Sequence, residues 1–224
     1  MGKLSVVATP IGNLEDITLR ALRTLKECDV IYAEDTRVIS KLLARYELSK
    51  PLQRLDAATE TKKAEEIVAR IEGGEHVAFV SDAGTPGISD PGSRLVGFIR
   101  TNHPDILIEA IPGASALTAV LSIAGLNAEH FTFLGFLPHK KGRQTALKGI
   151  AASDIPVVLY ESPHRILKLL GELSALSIPR VTIGRELTKM HEEVLAGTPV
   201  ELAARLEEKD AVRGEFVVIV EPEN

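Results

Sequence analysis

HVAFVSDAGTPGISDPG, residues 76–92, is the stretch on which the reading of the fold turns. Its first five residues are almost wholly apolar, and the twelve that follow are dense in Gly, Pro, Asp and Ser. An apolar run without polar alternation belongs to a strand buried on both faces, as in a parallel sheet covered by helices. A βα connection needs only about two to six residues, so residues 81–92 are longer than joining two elements requires. Similar apolar runs lie on either side: LSVVA at 4–8, DVIYA at 29–33 and ILIEAI at 106–111. Between them the pattern turns helical. It does so in 16–28, with Leu19, Leu22 and Leu25 on one face, and through Val38, Ile39, Leu42 and Leu43. It recurs in 60–74, closed by Gly73-Gly74, around Leu95 to Ile99, and from Ala114 to Ala124. Strands alternating with helices predict an α/β domain on a parallel sheet.

From residue 131 the spacing shortens. FTFLGFLP (131–138) reads as a strand running into the basic loop HKKGR (139–143). PVVLY (156–160), a helix through Ile166, Leu169, Leu170 and Leu173, and VTIGREL (181–187) follow. EEVLA (192–196), a helix from Val200 to Leu206 and GEFVVIV (214–220) complete the pattern. Strands so closely spaced predict a second α/β domain with some antiparallel pairing, a mixed sheet. The expected division is 1–114 and 115–224.

Composition excludes several classes. With 45% hydrophobic and 25% charged residues the chain is globular and not disordered. At 224 residues it buries about 70% of its unfolded surface and needs no disulfide or metal staple. One cysteine, Cys28, makes no internal disulfide and no Cys-rich zinc site, which points to a reducing cytoplasm. The first apolar run is too short for a signal peptide or membrane span, and Val6 stands where myristoylation requires Ser or Thr. The net charge of −5 argues against a sequence-independent nucleic-acid coat, but not against a local basic patch.

In open parallel sheets ligands bind outside the carboxyl ends of the strands. The loops there read TPIGN (9–13), EDTR (34–37), SDAGTPGISDPG (81–92), PGASA (112–116), YESPHR (160–165) and GRELTK (184–189). Any one of them is explained as a capped turn. Several converging on one sheet edge point to a ligand. No GxxxxGK[ST], GxGxxG, HExxH, CxxC or GxSxG occurs, so the ordinary nucleotide, zinc and hydrolase signatures are absent and no metal is expected. Carboxylates and exposed backbone, without Lys or Arg clamps, suit a neutral or cationic ligand better than a polyphosphate. Residue chemistry alone reaches a cofactor or substrate site and stops there.

TPIGN-LEDIT, AEDTR, VSDAGTPGISDPG, PGASA, GFLP, YESPHR, RELTK and RGEFVVIV occur in this order across nearly the whole chain. Together they resemble the bacterial 16S rRNA (cytidine-2'-O)-methyltransferase branch of the tetrapyrrole methylase superfamily. The resemblance implies a two-domain α/β methylase of non-Rossmann type, usually a homodimer, with S-adenosylmethionine in the cleft between domains. It implies methylation of a cytidine ribose in the decoding region of the small ribosomal subunit, in the cytoplasm and away from membranes. Members often carry a further small helical extension, whereas this sequence ends at EPEN soon after its last predicted strand. By resemblance the cofactor lies against Pro10, Ile11, Asp82, Gly84, Gly87, Gly113, Ala114, Ser115 and Ala116. Tyr160, Glu161, Glu186 and Phe216 of the second domain close over it.

Two further sets of residues follow from the chemistry such an enzyme needs. A ribose hydroxyl attacks only as its proton leaves, so an acceptor must stand at the strand ends. Glu34, Asp35, Asp82, Glu161 and Glu186 qualify, and Glu34 or Asp35 is favoured, with Arg37 on a phosphate or on the carboxylates. An N-cap by Asp35, with Arg37 on a neighbouring carboxylate, explains the same residues equally well. Lys140, Lys141 and Arg143, in the densest positive cluster, are expected to dock RNA. Phe131, Phe133 and Phe136 read as strand core, Phe136 being the one near enough to that loop to stack on a base. Rival functions are methylation of a small tetrapyrrole and a non-catalytic ribosome-assembly factor on the same fold. A hydrolase using Asp82 and Asp90 lacks the nucleophilic Asp after the first strand that it would need.

Overall fold

The computed structural model describes residues 2–208 and 211–222 and divides into two compact units, Met1–Ser115 and Ala116–Asn224. In the first unit five strands, β1 (Lys3–Val7), β2 (Val30–Ala33), β3 (Leu52–Arg54), β4 (His76–Val80) and β5 (Leu107–Ile111), form one sheet. All pairings are parallel, in the order β3-β2-β4-β1-β5. The central strands are apolar at nearly every position because each face has its own core. Leu4, Val30, Tyr32, Val77 and Phe79 meet α3 (Glu60–Glu72) and α4 (Ser93–Asn102) through Ile67, Leu95 and Ile99. Val7, Ile31, Ala33, Ala78 and Val80 meet α1 (Leu19–Glu27) and α2 (Thr36–Arg45) through Leu25, Ile39 and Leu42. Burial on both faces is what the apolar runs encode.

One local expectation changes, and two features go beyond the sequence reading. The helix expected over 16–28 is a 3₁₀ turn at Leu14–Asp16 followed by α1, which starts at Leu19 because the Thr18 hydroxyl caps the Ala21 amide. Leu19 is therefore outside the core, 86% exposed. Strand β3 has only three residues, none buried, at the sheet edge, which is too little pattern to see in sequence. The start of α4 is likewise not visible in sequence. It has no side-chain cap of its own, and Glu60, at the start of α3, supplies one. Its buried carboxylate accepts from the amides of Gly92 (2.9 Å) and Leu95 (2.8 Å).

The second unit contains α5 (Ala116–Ile123), β6 (Thr132–Phe136), α6 (Arg143–Ala151), β7 (Val157–Glu161) and α7 (Ile166–Ala175). Strands β8 (Arg180–Arg185) and β9 (Glu193–Gly197), helix α8 (Pro199–Glu208) and β10 (Phe216–Glu221) follow. Its sheet runs β6-β7-β10-β8-β9, with β6 and β7 parallel and the other pairs antiparallel, the expected mixed sheet. One face packs on α6, α7 and α8 through Leu159, Ile183, Val218, Leu147, Leu169 and Leu202. Helix α5 lies close on the other face. A Cβ at Gly184 would sit 2.7 Å from Val120 Cγ2, so only glycine admits the helix at that distance.

The phenylalanines of β6 and its approach correct the sequence reading. None is core: Phe131 and Phe133 are half-buried and Phe136 is 52% exposed. Between Phe133 and Gly135 the register slips, so that Phe133 lies opposite Val158 and Phe136 opposite Tyr160. Gly135, with φ +62°, turns the bulge. Residues three apart, which a regular strand sends to opposite faces, thus share one.

Candidate functional site

The carboxyl edge of the first sheet is tied together by backbone. Thr9 and Gly84 exchange two hydrogen bonds, amide to carbonyl at 2.9 and 3.0 Å, which join the loop after β1 to the loop after β4. The Thr85 hydroxyl donates to Ala114 O (3.3 Å), and Ala8 N to Ile111 O (3.0 Å), which brings in the loop after β5. Gly84 sits at this junction with φ +74°. A Cβ there would lie 3.3 Å from Ile11 Cγ2 and 3.7 Å from Ala114 O. Gly87 donates to Pro91 O (3.0 Å), folding residues 87–91 back on themselves. Gly113 has a packing reason as well, since its Cβ would stand 3.0 Å from that of Ala8. Pro10 is buried; Ile11, Ala114, Ser115 and Ala116 are half-buried.

Carboxylates crowd the same edge. Asp82 accepts from the Asp35 amide (2.9 Å), linking the ends of β2 and β4. Asp35 accepts from the Arg37 amide (2.8 Å) and Nε (2.9 Å), so it caps α2 and clamps the guanidinium in one arrangement. Arg37 holds the Asp35 carboxyl down to about 2. Of the two explanations of this tetrapeptide, the cap describes Asp35 and Arg37. Glu34 differs: burial, then Asp82, Asp90 and Asp56, push its pKa up. Burial also raises Asp90 to about 6 against the opposing Ser81 hydroxyl, with Asp82 adding to the rise.

The second unit corrects the expected basic patch. Arg143 is 3% exposed and not a surface cation. Its Nε and Nη2 reach Glu172 Oε2 at 2.9 and 2.6 Å, and its Nη1 donates to Pro138 O (3.4 Å). A guanidinium so engaged has no face left for phosphate, whereas Lys140 and Lys141 are exposed. Glu161 is also buried. Its Oε1 takes Arg165 Nη2 (2.7 Å) and the Ser162 amide (2.8 Å), while Oε2 has no hydrogen-bond partner and lies 3.9 Å from Arg143 Nη2. Arg165 Nη1 in turn donates to Leu137 O (3.0 Å). Phe216, expected against the cofactor, points its ring into the core at 2% exposure, leaving only its backbone to meet a ligand. Glu186, with φ +49°, accepts from the Glu215 amide (2.9 Å) and Lys189 Nζ (2.9 Å). Burial opposes its ionisation, but these donors outweigh burial and hold its pKa below the ordinary value. Half-buried Tyr160 meets Phe133 and Phe136 edge-on, at centroid distances of 5.0 and 5.6 Å.

Sequence reading missed Glu60, Glu172 and Arg165 as organising groups. Arg165 lies inside the YESPHR string, whereas Glu172 is 29 residues from Arg143 and no local pattern pairs them. Among the described residues no helix is long and apolar enough to cross a membrane.

Comparison with known proteins adds the following. Residues 3–203 match the family model for tetrapyrrole (corrin/porphyrin) methylases. A ribosomal RNA small subunit methyltransferase I of Thermotoga maritima is 42% identical over 221 residues, covering 98% of each chain. One from Borrelia garinii is 44% identical over 97% of each. The uroporphyrin-III C-methyl transferase of Thermus thermophilus, solved in complex with S-adenyl homocysteine, superposes with a TM-score of 0.65 over 97% of both chains. At 20% identity that likeness concerns the fold.

Proposed function

The chain belongs to the tetrapyrrole methylase family, and on that premise we propose that it transfers a methyl group from S-adenosylmethionine to small-subunit rRNA, at the ribose 2'-oxygen of a cytidine in the decoding region. What carries the reading is 42–44% identity, over nearly the whole length, with small-subunit rRNA methyltransferases in a chain whose first sheet gathers glycine-lined backbone and carboxylates at one edge. The edge fits the cofactor. The loops joined at Thr9, Gly84 and Ala114 would line it beside Pro10 and Ile11, and Asp82 complements a cation that carries an amino-acid head. When bound, S-adenosylmethionine supplies an electrophilic methyl on a sulfonium, which is its own leaving group.

The protein's part is alignment and a proton acceptor. Glu34 suits the second role, because a carboxylate raised by burial and by its acidic neighbours is a stronger base than one at the ordinary value. Asp35, held ionised by Arg37, is a weak base and orients α2. Lys140 and Lys141 take phosphates of the substrate. We further propose a cytoplasmic homodimer working on the small ribosomal subunit, with sedimentation velocity as the check on the dimer.

The test is single-turnover methylation of 30S particles, followed by mass spectrometry of the rRNA nucleosides. The wild type should yield 2'-O-methylcytidine. Glu34→Gln should bind cofactor normally and lose about 10²–10⁴-fold in rate. Methylation of a precorrin and not of 30S particles, or cofactor binding with no transfer at all, would overturn the proposal.

A further inference from the structure

The aromatic residues of β6 have no part in the reaction described above, and of the loop that follows them only Lys140 and Lys141 do. Phe136 ends an edge strand with half its surface in solvent, although it is a large apolar side chain. The bulge at Gly135 sets it on the same face as Phe133, and Tyr160 braces both rings edge-on. Just beyond it along the chain, His139, Lys140 and Lys141 are all exposed, and exposed Lys148 projects from α6.

The acids under this loop do not cancel its charge. Glu161 and Glu172 are each paired with a buried or half-buried arginine. Those arginines also hold the loop in shape, Arg165 donating to Leu137 O and Arg143 to Pro138 O. A braced, exposed ring beside exposed lysines is the combination that binds single-stranded nucleic acid: bases stack on the ring while phosphates meet the cations.

We propose that residues 136–141 form a single-stranded RNA ledge, with an unpaired base stacked on Phe136 and neighbouring phosphates on Lys140 and Lys141. The inference rests on rRNA being the substrate and adds which part of it is gripped: an unpaired stretch, engaged by its base face. Stacking accepts any base, so the ledge supplies affinity and leaves the choice of nucleotide to the reaction site.

The experiment measures binding of a fluorescein-labelled single strand copied from the decoding region, and of the same strand annealed to its complement, across a salt series. Phe136→Ala should weaken the single strand roughly five- to hundredfold with an unchanged salt slope, and barely affect the duplex. Phe136→Trp should retain binding, and Phe136→Leu, which keeps the apolar bulk, should not. Lys140→Ala with Lys141→Ala should instead flatten the slope, by about 0.7 per lost phosphate contact. All variants should bind S-adenosylmethionine as the wild type does, and Phe136→Ala should raise KM for 30S particles more than it lowers kcat.

Wild-type affinity in Phe136→Ala, or equal loss on single strand and duplex, would overturn the ledge. So would a sedimentation shift showing that Phe136 holds two copies of the chain together. Failure of the proposed function reads differently: there the unmodified protein methylates no rRNA, whatever Phe136 does to binding.

Discussion

Replacing Arg143 by Met separates a buried structural arginine from a docking one. The side chain is 4% exposed and its partner Glu172 18% exposed, and two guanidinium nitrogens meet the carboxylate. Methionine fills much of the same volume but leaves Glu172 without its counterion and removes a cation 3.9 Å from Glu161 Oε2. Breaking a buried pair costs about 3–5 kcal/mol, and the partial exposure of Glu172 places this case near the lower end, at about 3. With a urea slope of about 2 kcal/mol/M, that lowers the unfolding midpoint by about 1.5 M. Circular dichroism gives the midpoint, and hydrogen exchange over 143–151 assigns the loss to α6. Arg143→Met with Glu172→Met should recover most of the loss, because an apolar pair of similar volume replaces the ions without leaving a lone charge. A single variant within about 0.5 kcal/mol of wild type, the size of an ordinary surface substitution, would refute the reasoning. A double variant no better than the single would do so as well. A docking arginine predicts the reverse pattern, unchanged stability with weaker RNA binding.

Four other outcomes follow from the same structure. Gly84→Val places a branched residue at φ +74° against Ile11, and calorimetry should show S-adenosylmethionine binding at least tenfold weaker, about 1.4 kcal/mol, in a variant that still folds. Glu60→Ala should cost about 1–3 kcal/mol in urea unfolding by stranding the amides of Gly92 and Leu95. Asp90 binds its proton more tightly folded, at about 6, than unfolded, so its contribution is full below about pH 4 and lost as pH rises through 6. Asp90→Asn should therefore gain stability relative to wild type across that window, and parallel pH profiles would contradict it. Cys28 donates to Leu25 O and burial pushes its thiol up to about 11, so iodoacetamide at pH 8 should label it only in denaturant.

Much of the molecule was legible in the order of residues, because the signals involved are local. A strand buried on both faces must be apolar nearly throughout, so β1, β2 and β4 declare themselves, and the parallel sheet with them. The overlong loop 81–92 pointed to a candidate site, since backbone that only connects does not need twelve residues. The family resemblance added what chemistry could not, an expected methyl donor and an expected acceptor. Tertiary structure decided matters that depend on groups distant in sequence. Arg143 reads as one more cation in HKKGR, and only the approach of Glu172, 29 residues away, makes it internal. Glu34 and Asp35 are adjacent carboxylates in sequence, yet Arg37 lowers one while burial, with Asp82, Asp90 and Asp56, raises the other. Phe136 reads in sequence as strand core or as a ring able to stack on a base, and a one-residue slip in pairing with β7 sends it to the surface beside Tyr160. In each case the residue type sets what a side chain is able to do, and the field and packing of neighbours brought in by the fold select what it does.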